Sequence, residues 1–118
     1  MKREIKFRAW DDVSKTMCNW HELAYTNELK LKTLEGVTNL SWMQFTGLKD
    51  KNGVEIYEGD IMKRNDGLTR LVVWNNGGYK LSNSKKPATH KKANLFAQKV
   101  YKLEWEVIGN IHQNPELL

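Results

Sequence analysis

The chain of 118 residues carries 19 Lys and Arg against 14 Asp and Glu, a net charge of +5, and 40% of its residues are hydrophobic. This composition is typical of a single soluble domain, and no apolar run approaches the roughly 18 residues of a membrane-spanning helix. Cys18 is the only cysteine, which excludes an intrachain disulfide and a zinc site built on several thiolates, and fits a cytoplasmic protein.

The hairpin predicted first covers residues 5–20. Residues 5–10 alternate apolar and polar side chains with a period of two, residues 11–15 are a polar turn, and residues 16–20 return as a second strand. Residues 28–34 alternate in the same way and favour another strand, which ends at Gly36.

The segment from residue 37 to residue 60 predicts a long extended stretch followed by two reversals. Residues 37–48 are extended in this interpretation, with Trp42 and Phe45 packed inward. The run Asp-Lys-Asn-Gly at 50–53 is typical of a tight hairpin, because Asn and Gly tolerate positive φ and Asp caps a turn. The run Glu-Gly-Asp at 58–60 turns the chain again.

The second half of the chain predicts three short strands, a loop, a helix and a last strand. The strands cover residues 61–64, 71–74 and 79–81, and turns at 65–67 and 75–78 separate them. Residues 82–92 form a basic loop. Apolar residues at spacings of four and three predict a helix near 93–103, although no good N-cap precedes it. Residues 105–111 predict the final strand.

Short strands separated by turn signals every eight to twelve residues predict an all-β barrel or sandwich. A barrel removes unpaired strand edges in a domain of this size, and the helix near 93–103 would cover one end. We assign structural roles in turns to nine residues: Gly47, Asp50, Asn52, Gly53, Glu58, Gly59, Asp60, Gly109 and Asn110.

Three blocks of the chain carry a family resemblance: residues 3–11 (REIKFRAWD), residues 43–61 with MQFTGLKD and YEGDI at the two ends, and residues 107–118 (VIGNI, then NPELL). In this order they resemble the opening, the central signature and the close of YopX-like proteins, which temperate phages and prophages encode. The chain departs from that family at His112 and Gln113, where Tyr-Glu is common.

The resemblance implies a mainly β pseudo-barrel, similar to PRC-barrel and SH3-like domains, with a capping helix. It implies one YopX-like domain over 1–118, with a β-rich N-terminal portion at 1–42 and a barrel portion at 43–118. A phage-encoded protein in the host cytoplasm is also implied. The family brings no established activity with it, and the basic loop at 82–92 lies outside the matching blocks.

Acidic residues of the central segment are the first candidates for chemistry: Asp50, Glu55, Glu58 and Asp60. Close carboxylates serve acid–base catalysis or bind metals. An EF-hand alignment that puts Gly53 at loop position six, however, leaves Leu48 and Gly59 at the two anchoring ligand positions. Turn chemistry explains these acids better.

The histidines His21, His90 and His112 have no metal-site spacing, and Cys18 has no nearby activating group in the sequence. We therefore expect no catalytic residue, metal or cofactor, and no enzymatic activity.

Basic charge provides the strongest functional signal. Residues 61–102 contain ten Lys and Arg and one acid, whereas residues 1–60 contain nine and ten. The candidate nucleic-acid-binding residues are Lys63, Arg64, Arg70, Lys80, Lys85, Lys86, Lys91 and Lys92. If they converge, they form a surface suited to a phosphate backbone, with Trp74 and Tyr79 available to stack on bases. Because lysine dominates, such contact would be nonspecific. The alternative is a solvated lysine loop that aids solubility.

Aromatic content suggests a protein-interaction role. Twelve Trp, Tyr and Phe residues are many for one small core, and surplus aromatics anchor partners or a homo-oligomer. Exposed edge strands would add a route to self-pairing. Our first hypothesis is a non-catalytic adaptor that self-assembles or binds a host or phage protein. The alternative is nonspecific binding of DNA or RNA through residues 61–102, and no membrane is expected as a partner.

Overall fold

The computed structural model describes residues 5–20, 40–82, 92–94 and 105–118, with backbone alone for 92–94. Within these ranges the chain forms nine strands and a short C-terminal 3₁₀ helix (Pro115–Leu117). The strands are β1 (Phe7–Asp11), β2 (Thr16–Cys18), β3 (Leu40–Lys49), β4 (Glu55–Tyr57), β5 (Asp60–Arg64), β6 (Thr69–Asn75), β7 (Gly78–Ser82), β8 (Lys92–Asn94) and β9 (Trp105–Asn110).

Two antiparallel sheets divide these strands. The first has the order β2-β1-β3-β4, and the second, which curls into a half-barrel, has the order β8-β7-β6-β5-β9. The mainly β pseudo-barrel predicted from the sequence is confirmed. The boundary between the predicted N-terminal portion (1–42) and barrel portion (43–118) falls within β3.

Local turn chemistry explains the hairpins. The first hairpin forms as predicted, with β1 paired to β2 and the Asp11 side chain accepting a hydrogen bond from the Val13 N–H at 2.9 Å. The β6–β7 hairpin turns at Asn76 and Gly77, whose φ angles are both positive, +49° and +77°. Two consecutive positive φ angles are typical of a type I′ turn, which matches the twist of paired strands.

The second sheet is apolar on both faces, because successive side chains of its strands point to opposite faces and apolar residues occur on each. One face places Met62, Val72 and Leu81 against Ile56 of β4 and Trp105 of β9. The opposite face places three more buried residues under the C-terminal segment: Ile61, Leu71 and Val73, packed by Ile108, Ile111 and Leu118. The sheet is therefore a middle layer between the first sheet and the end of the chain.

Gly59 lies where these layers meet. Its N–H donates to the Val72 carbonyl at 2.8 Å, and its own carbonyl accepts from the Ile111 N–H at 2.8 Å. The φ of Gly59 is +89°, and a Cβ there would lie 3.0 Å from the Met43 sulfur. Glycine is required at this position by both its backbone conformation and its close neighbours.

The prediction of a capping helix near 93–103 is wrong at its first residues. Residues Lys92–Asn94 form β8, in which Ala93 pairs with Leu81 of β7. The open edge of β7 offers a ladder of hydrogen bonds, and the sequence provides no N-cap to favour a helix instead. Residues 95–103, like the strand predicted at 28–34, lie outside the described residues.

The inward position predicted for Trp42 is also wrong, whereas that of Phe45 is confirmed. Trp42 is 52% exposed and Phe45 is 5% exposed. Met43 and Phe45 share the inward face of β3, so the alternation of the strand places Trp42 on the other face.

Candidate functional site

A buried carboxylate connects the two sheets. Asp60 begins β5 and is 1% exposed. Its Oδ1 accepts a hydrogen bond from Nη2 of Arg8 on β1 at 2.5 Å, and its Oδ2 accepts one from the Tyr57 N–H at 2.7 Å. The Arg8 guanidinium also lies over the Tyr57 ring, 4.7 Å from its centroid. The ion pair and the cation–π contact together hold β1 against the β4–β5 turn.

Burial dominates the titration of this carboxyl group. It raises the pKa of Asp60 above its ordinary value, and the Arg8 charge and the Tyr57 N–H offset only part of that effect. Nε of Arg8 is buried and has no hydrogen-bond partner among the described residues. The pair is therefore close but incompletely satisfied, which is consistent with a net cost of desolvation.

A second buried carboxylate, that of Asp50, attaches the β3–β4 turn to the second sheet. Asp50 is 4% exposed, and its Oδ1 accepts from the N–H groups of Asn52 at 2.8 Å and Val54 at 2.9 Å. Its Oδ2 accepts from the Val107 N–H of β9 at 2.8 Å. The Lys51 N–H adds a bond to the Trp105 carbonyl at 3.3 Å. One side chain thus caps its own turn and fastens it to the outer edge of β9.

The C-terminal turn depends on Asn110 and Gly109. The Asn110 Oδ1 accepts from the N–H groups of His112 at 3.0 Å and Gln113 at 2.9 Å. A Cβ on Gly109 would lie 2.5 Å from the Asn114 Oδ1, so only glycine fits there. His112 stacks on Trp10 with ring centroids 5.7 Å apart, and burial lowers the pKa of His112.

Among the other residues assigned to turns, Asn52, Gly53 and Glu58 lie at chain reversals, whereas Gly47 lies inside β3, where the pairing with β4 shifts register. Gly47 and Gly53 have φ angles of +87° and +80°. The Gly53 N–H donates to the Asp50 carbonyl at 3.0 Å, and the Glu58 N–H donates to the Gln44 carbonyl at 2.9 Å. The side chains and backbone of this set hold turns and the contact between the sheets.

Groups suited to metal or nucleophilic chemistry do not assemble in the described part of the chain. Among the described residues, no three His, Cys, Asp or Glu side chains lie close enough to hold a metal ion. Cys18 is a half-buried thiol on β2, and His21 and His90 lie outside the described residues.

The predicted basic cluster does not converge over the residues that the structure describes. Opposed residues of antiparallel strands share a face and neighbours alternate, so Lys63 and Lys80 lie on one face of the second sheet and Arg64 and Arg70 on the other. Lys63 also pairs across the ladder with Glu106.

Other members of the cluster are engaged or undescribed. Arg64 forms an ion pair with Asp66 at 2.6 Å, which lowers the pKa of Asp66 to about 2. Lys85, Lys86 and Lys91 lie outside the described residues, and the backbone of Lys92 pairs opposite Ser82.

Exposed aromatic side chains occur on both sheets. On the first sheet, Trp42 pairs opposite Ala9 and therefore shares a face with Phe7, whose ring lies 6.1 Å from that of Trp20. Trp20 is 38% exposed. We call Phe7, Trp20 and Trp42 the aromatic face. The signal in the sequence that could have located this face is the alternation along β3, in which inward Met43 and Phe45 require Trp42 to point outward.

Trp74 is the exposed aromatic residue of the second sheet. It lies on β6, is 51% exposed, and meets Tyr79 of β7 edge-on, with centroids 4.8 Å apart and an interplanar angle of 71°.

Comparison with known proteins identifies a family and a similar solved structure. The family model described as YopX protein matches residues 6–118. The crystal structure of protein EF1440 from Enterococcus faecalis is similar, with a TM-score of 0.67 and 25% identity over 99% of both chains. No curated protein matches the chain. None of the helices in the described ranges has the length and apolar character needed to cross a membrane.

Replacing Asp50 by Asn tests the second carboxylate. The amide oxygen can keep the two turn bonds, but the amide nitrogen then faces the Val107 N–H, donor against donor. We expect the free energy of unfolding in urea to fall by about 1–3 kcal/mol. The control is Asp66→Asn, since Asp66 accepts from the Leu68 N–H at 3.1 Å in an exposed turn. The control should lose less, and equal losses would contradict the role of Asp50 in joining the sheets.

The raised pKa of Asp60 gives a pH dependence of defined sign. An NMR titration should place the pKa of Asp60 above 3.8, the ordinary value of an aspartate, and that of Asp66 below it. Because the folded chain then binds this proton more tightly than the unfolded chain, the stability contributed by Asp60 decreases as pH rises from 3.8 through the folded pKa.

The stability difference between wild type and Asp60→Asn should therefore shrink with rising pH in that window. A difference that grows with pH would show that the charge of Arg8 outweighs burial.

Proposed function

We propose that this chain, which belongs to the YopX protein family, is a non-catalytic adaptor that assembles with copies of itself or with a host or phage protein. In this proposal the protein is phage-encoded and acts in the host cytoplasm. The aromatic face of the first sheet is the observation that carries the proposal.

Trp42 supports a role in binding because of where it lies. Trp42 lies within β3 and pairs opposite Ala9 of β1, so it stands on a paired strand rather than in a loop. A half-exposed indole held by an ordered strand loses little conformational freedom on binding. Tryptophan is also enriched among residues that dominate binding energy at protein interfaces.

Burial of the central acids supports a structural role for the family signature. Asp50 and Asp60 are 4% and 1% exposed, and each uses both carboxylate oxygens to accept hydrogen bonds. A catalytic acid or base must reach a proton on a substrate. Carboxylates engaged in this way are better suited to holding backbone than to proton transfer.

Replacing Trp42 by Ala tests the adaptor role. Light scattering over a range of concentrations should show a self-associated wild type, and the variant should associate at least ten-fold more weakly, as for a residue that dominates an interface. Trp74→Ala is the matched control, because Trp74 is 51% exposed against 52% for Trp42. The control should associate like the wild type.

A pull-down from infected or lysogenic cells covers the case of a different partner protein. A partner retained by wild type and by Trp74→Ala but lost with Trp42→Ala would support the adaptor role. A monomeric wild type that retains no partner would contradict it.

Nonspecific nucleic-acid binding is the alternative function. The basic charge of residues 61–102 favours it, as does the exposed indole of Trp74. The division of Lys63, Lys80, Arg64 and Arg70 between two faces of the second sheet leaves the loop lysines as the main phosphate contacts in this alternative.

Charge reversal in the loop tests this alternative. The affinity of the wild type for DNA and RNA should fall steeply with salt, with a logarithmic slope of about −3 if four lysines each neutralise one phosphate. Replacing Lys85, Lys86, Lys91 and Lys92 by Glu should remove most of the binding and that slope. A control that replaces the exposed Lys15, Lys49 and Lys51 by Glu should retain binding better. If the wild type binds neither DNA nor RNA at low salt, this alternative fails.

A further inference from the structure

We infer that the stack of His112 on Trp10 is a pH-sensitive contact, which holds the C-terminal turn at 110–114 against β1 near neutral pH and releases it in acid. Release uncovers the apolar face of the second sheet on which the end of the chain packs. The inference goes beyond the function proposed above and does not depend on it.

The stack joins β1 to the C-terminal turn. Trp10 is 5% exposed, and the His112 ring lies nearly parallel to its indole, with an interplanar angle of 13° and centroids 5.7 Å apart. The preceding residue, Ile111, donates its N–H to the Gly59 carbonyl at 2.8 Å and packs its side chain on the buried cluster around Ile61. The ring that contacts β1 is therefore one residue away from the side chain that covers the apolar face.

Hydrogen bonds of the Asn110 side chain shape the turn without attaching it to β1. The Oδ1 of Asn110 accepts from the N–H groups of His112 and Gln113, which belong to the same turn. Glu116, the next acid along the chain, is exposed on the 3₁₀ helix. The imidazole ring thus carries the contact of the turn with β1, and the charges that face the ring come from the N-terminal hairpin.

The surroundings of the imidazole disfavour a positive charge. Burial and the charge of Arg8 lower the pKa of His112, and Asp12 offsets only part of the two effects. Arg8 is held in place by its ion pair with Asp60, so it cannot move away from a second cation. Asp12 is exposed and already forms an ion pair with Lys15 at 2.8 Å, which weakens its attraction for the imidazolium.

Release returns the imidazole of His112 to water, where its pKa recovers the ordinary value of 6.5. The released turn therefore binds a proton more tightly than the stacked turn, and acidification favours release. The window runs from pH 6.5 down to the lowered pKa of the stacked ring. Above this window the ring is neutral in both states, and below it the ring is charged in both, so the effect has then reached its full size.

Amide hydrogen exchange at Ile111 measures the release, because its N–H is bonded to Gly59 while the turn is in place. The protection factor of this amide should fall as the pH decreases through 6.5, by at most about ten-fold per pH unit for one proton. Amides of the β6–β7 ladder should keep their protection, which distinguishes release from global unfolding. ANS fluorescence should rise with the same pH profile as the apolar face becomes exposed.

Three variants separate the charge of the ring from its packing. His112→Phe is the matched control, because it keeps a flat ring for Trp10 and cannot be protonated, so protection at Ile111 should not depend on pH in this window. His112→Ala removes the ring and should lower the protection at neutral pH as well. Asp12→Asn removes the charge that favours the imidazolium and should deepen the loss of protection in acid.

An NMR titration of the His112 ring provides the decisive measurement in the wild type, and it should give a pKa below 6.5. A value at or above 6.5 would show that Asp12 or the indole face stabilises the imidazolium, and the inference would be wrong. Protection at Ile111 that stays constant with pH in the wild type, or that falls equally in His112→Phe, would also overturn it.

Discussion

The ion pair between Arg8 and Asp60 sets the position of the first sheet on the second. Arg8 comes from the first strand of the chain, and Asp60 begins the strand on which the second sheet is built. Bringing both charges out of water is expensive, and their attraction returns only part of that cost. Removing one partner would leave the other buried and uncompensated, which typically destabilises a protein by about 3–5 kcal/mol. The pair therefore restricts which register of β1 is compatible with a folded core.

Other contacts at the junction extend this constraint. Asp50 fixes the β3–β4 turn to β9, and Gly59 gives the chain room to pass beneath Met43. The C-terminal turn at Asn110 then covers the second apolar face of the half-barrel. The acids and glycines that carry the family resemblance act here as parts of one junction between layers. The exposed aromatics lie away from it, on the faces of the sheets.

The sequence predicted the fold well where local chemistry decides the structure. Turns at 50–53 and 75–78 follow from Asn, Asp and Gly, and alternation locates the strands between them. The prediction failed where pairing with a strand distant in sequence determines the structure. Ala93 lies in a sequence pattern that predicts a helix but pairs with Leu81, an interaction that no local pattern contains. The cations of β5–β7 were expected to converge, but the alternation of paired strands sends them to opposite faces. Sequence proximity alone could not show that division.

The outer edge of β9 has a consequence for how this protein can associate. An unpaired edge strand is a template for uncontrolled aggregation, and natural proteins block such edges. Here the Val107 N–H is occupied by Asp50, the Trp105 carbonyl by Lys51, and the Asn110 N–H by Asn114 at 3.3 Å. Side-chain and turn groups stand in for a neighbouring strand. This edge is thereby protected against pairing with a strand of another molecule, so polymerisation by strand addition cannot begin at β9.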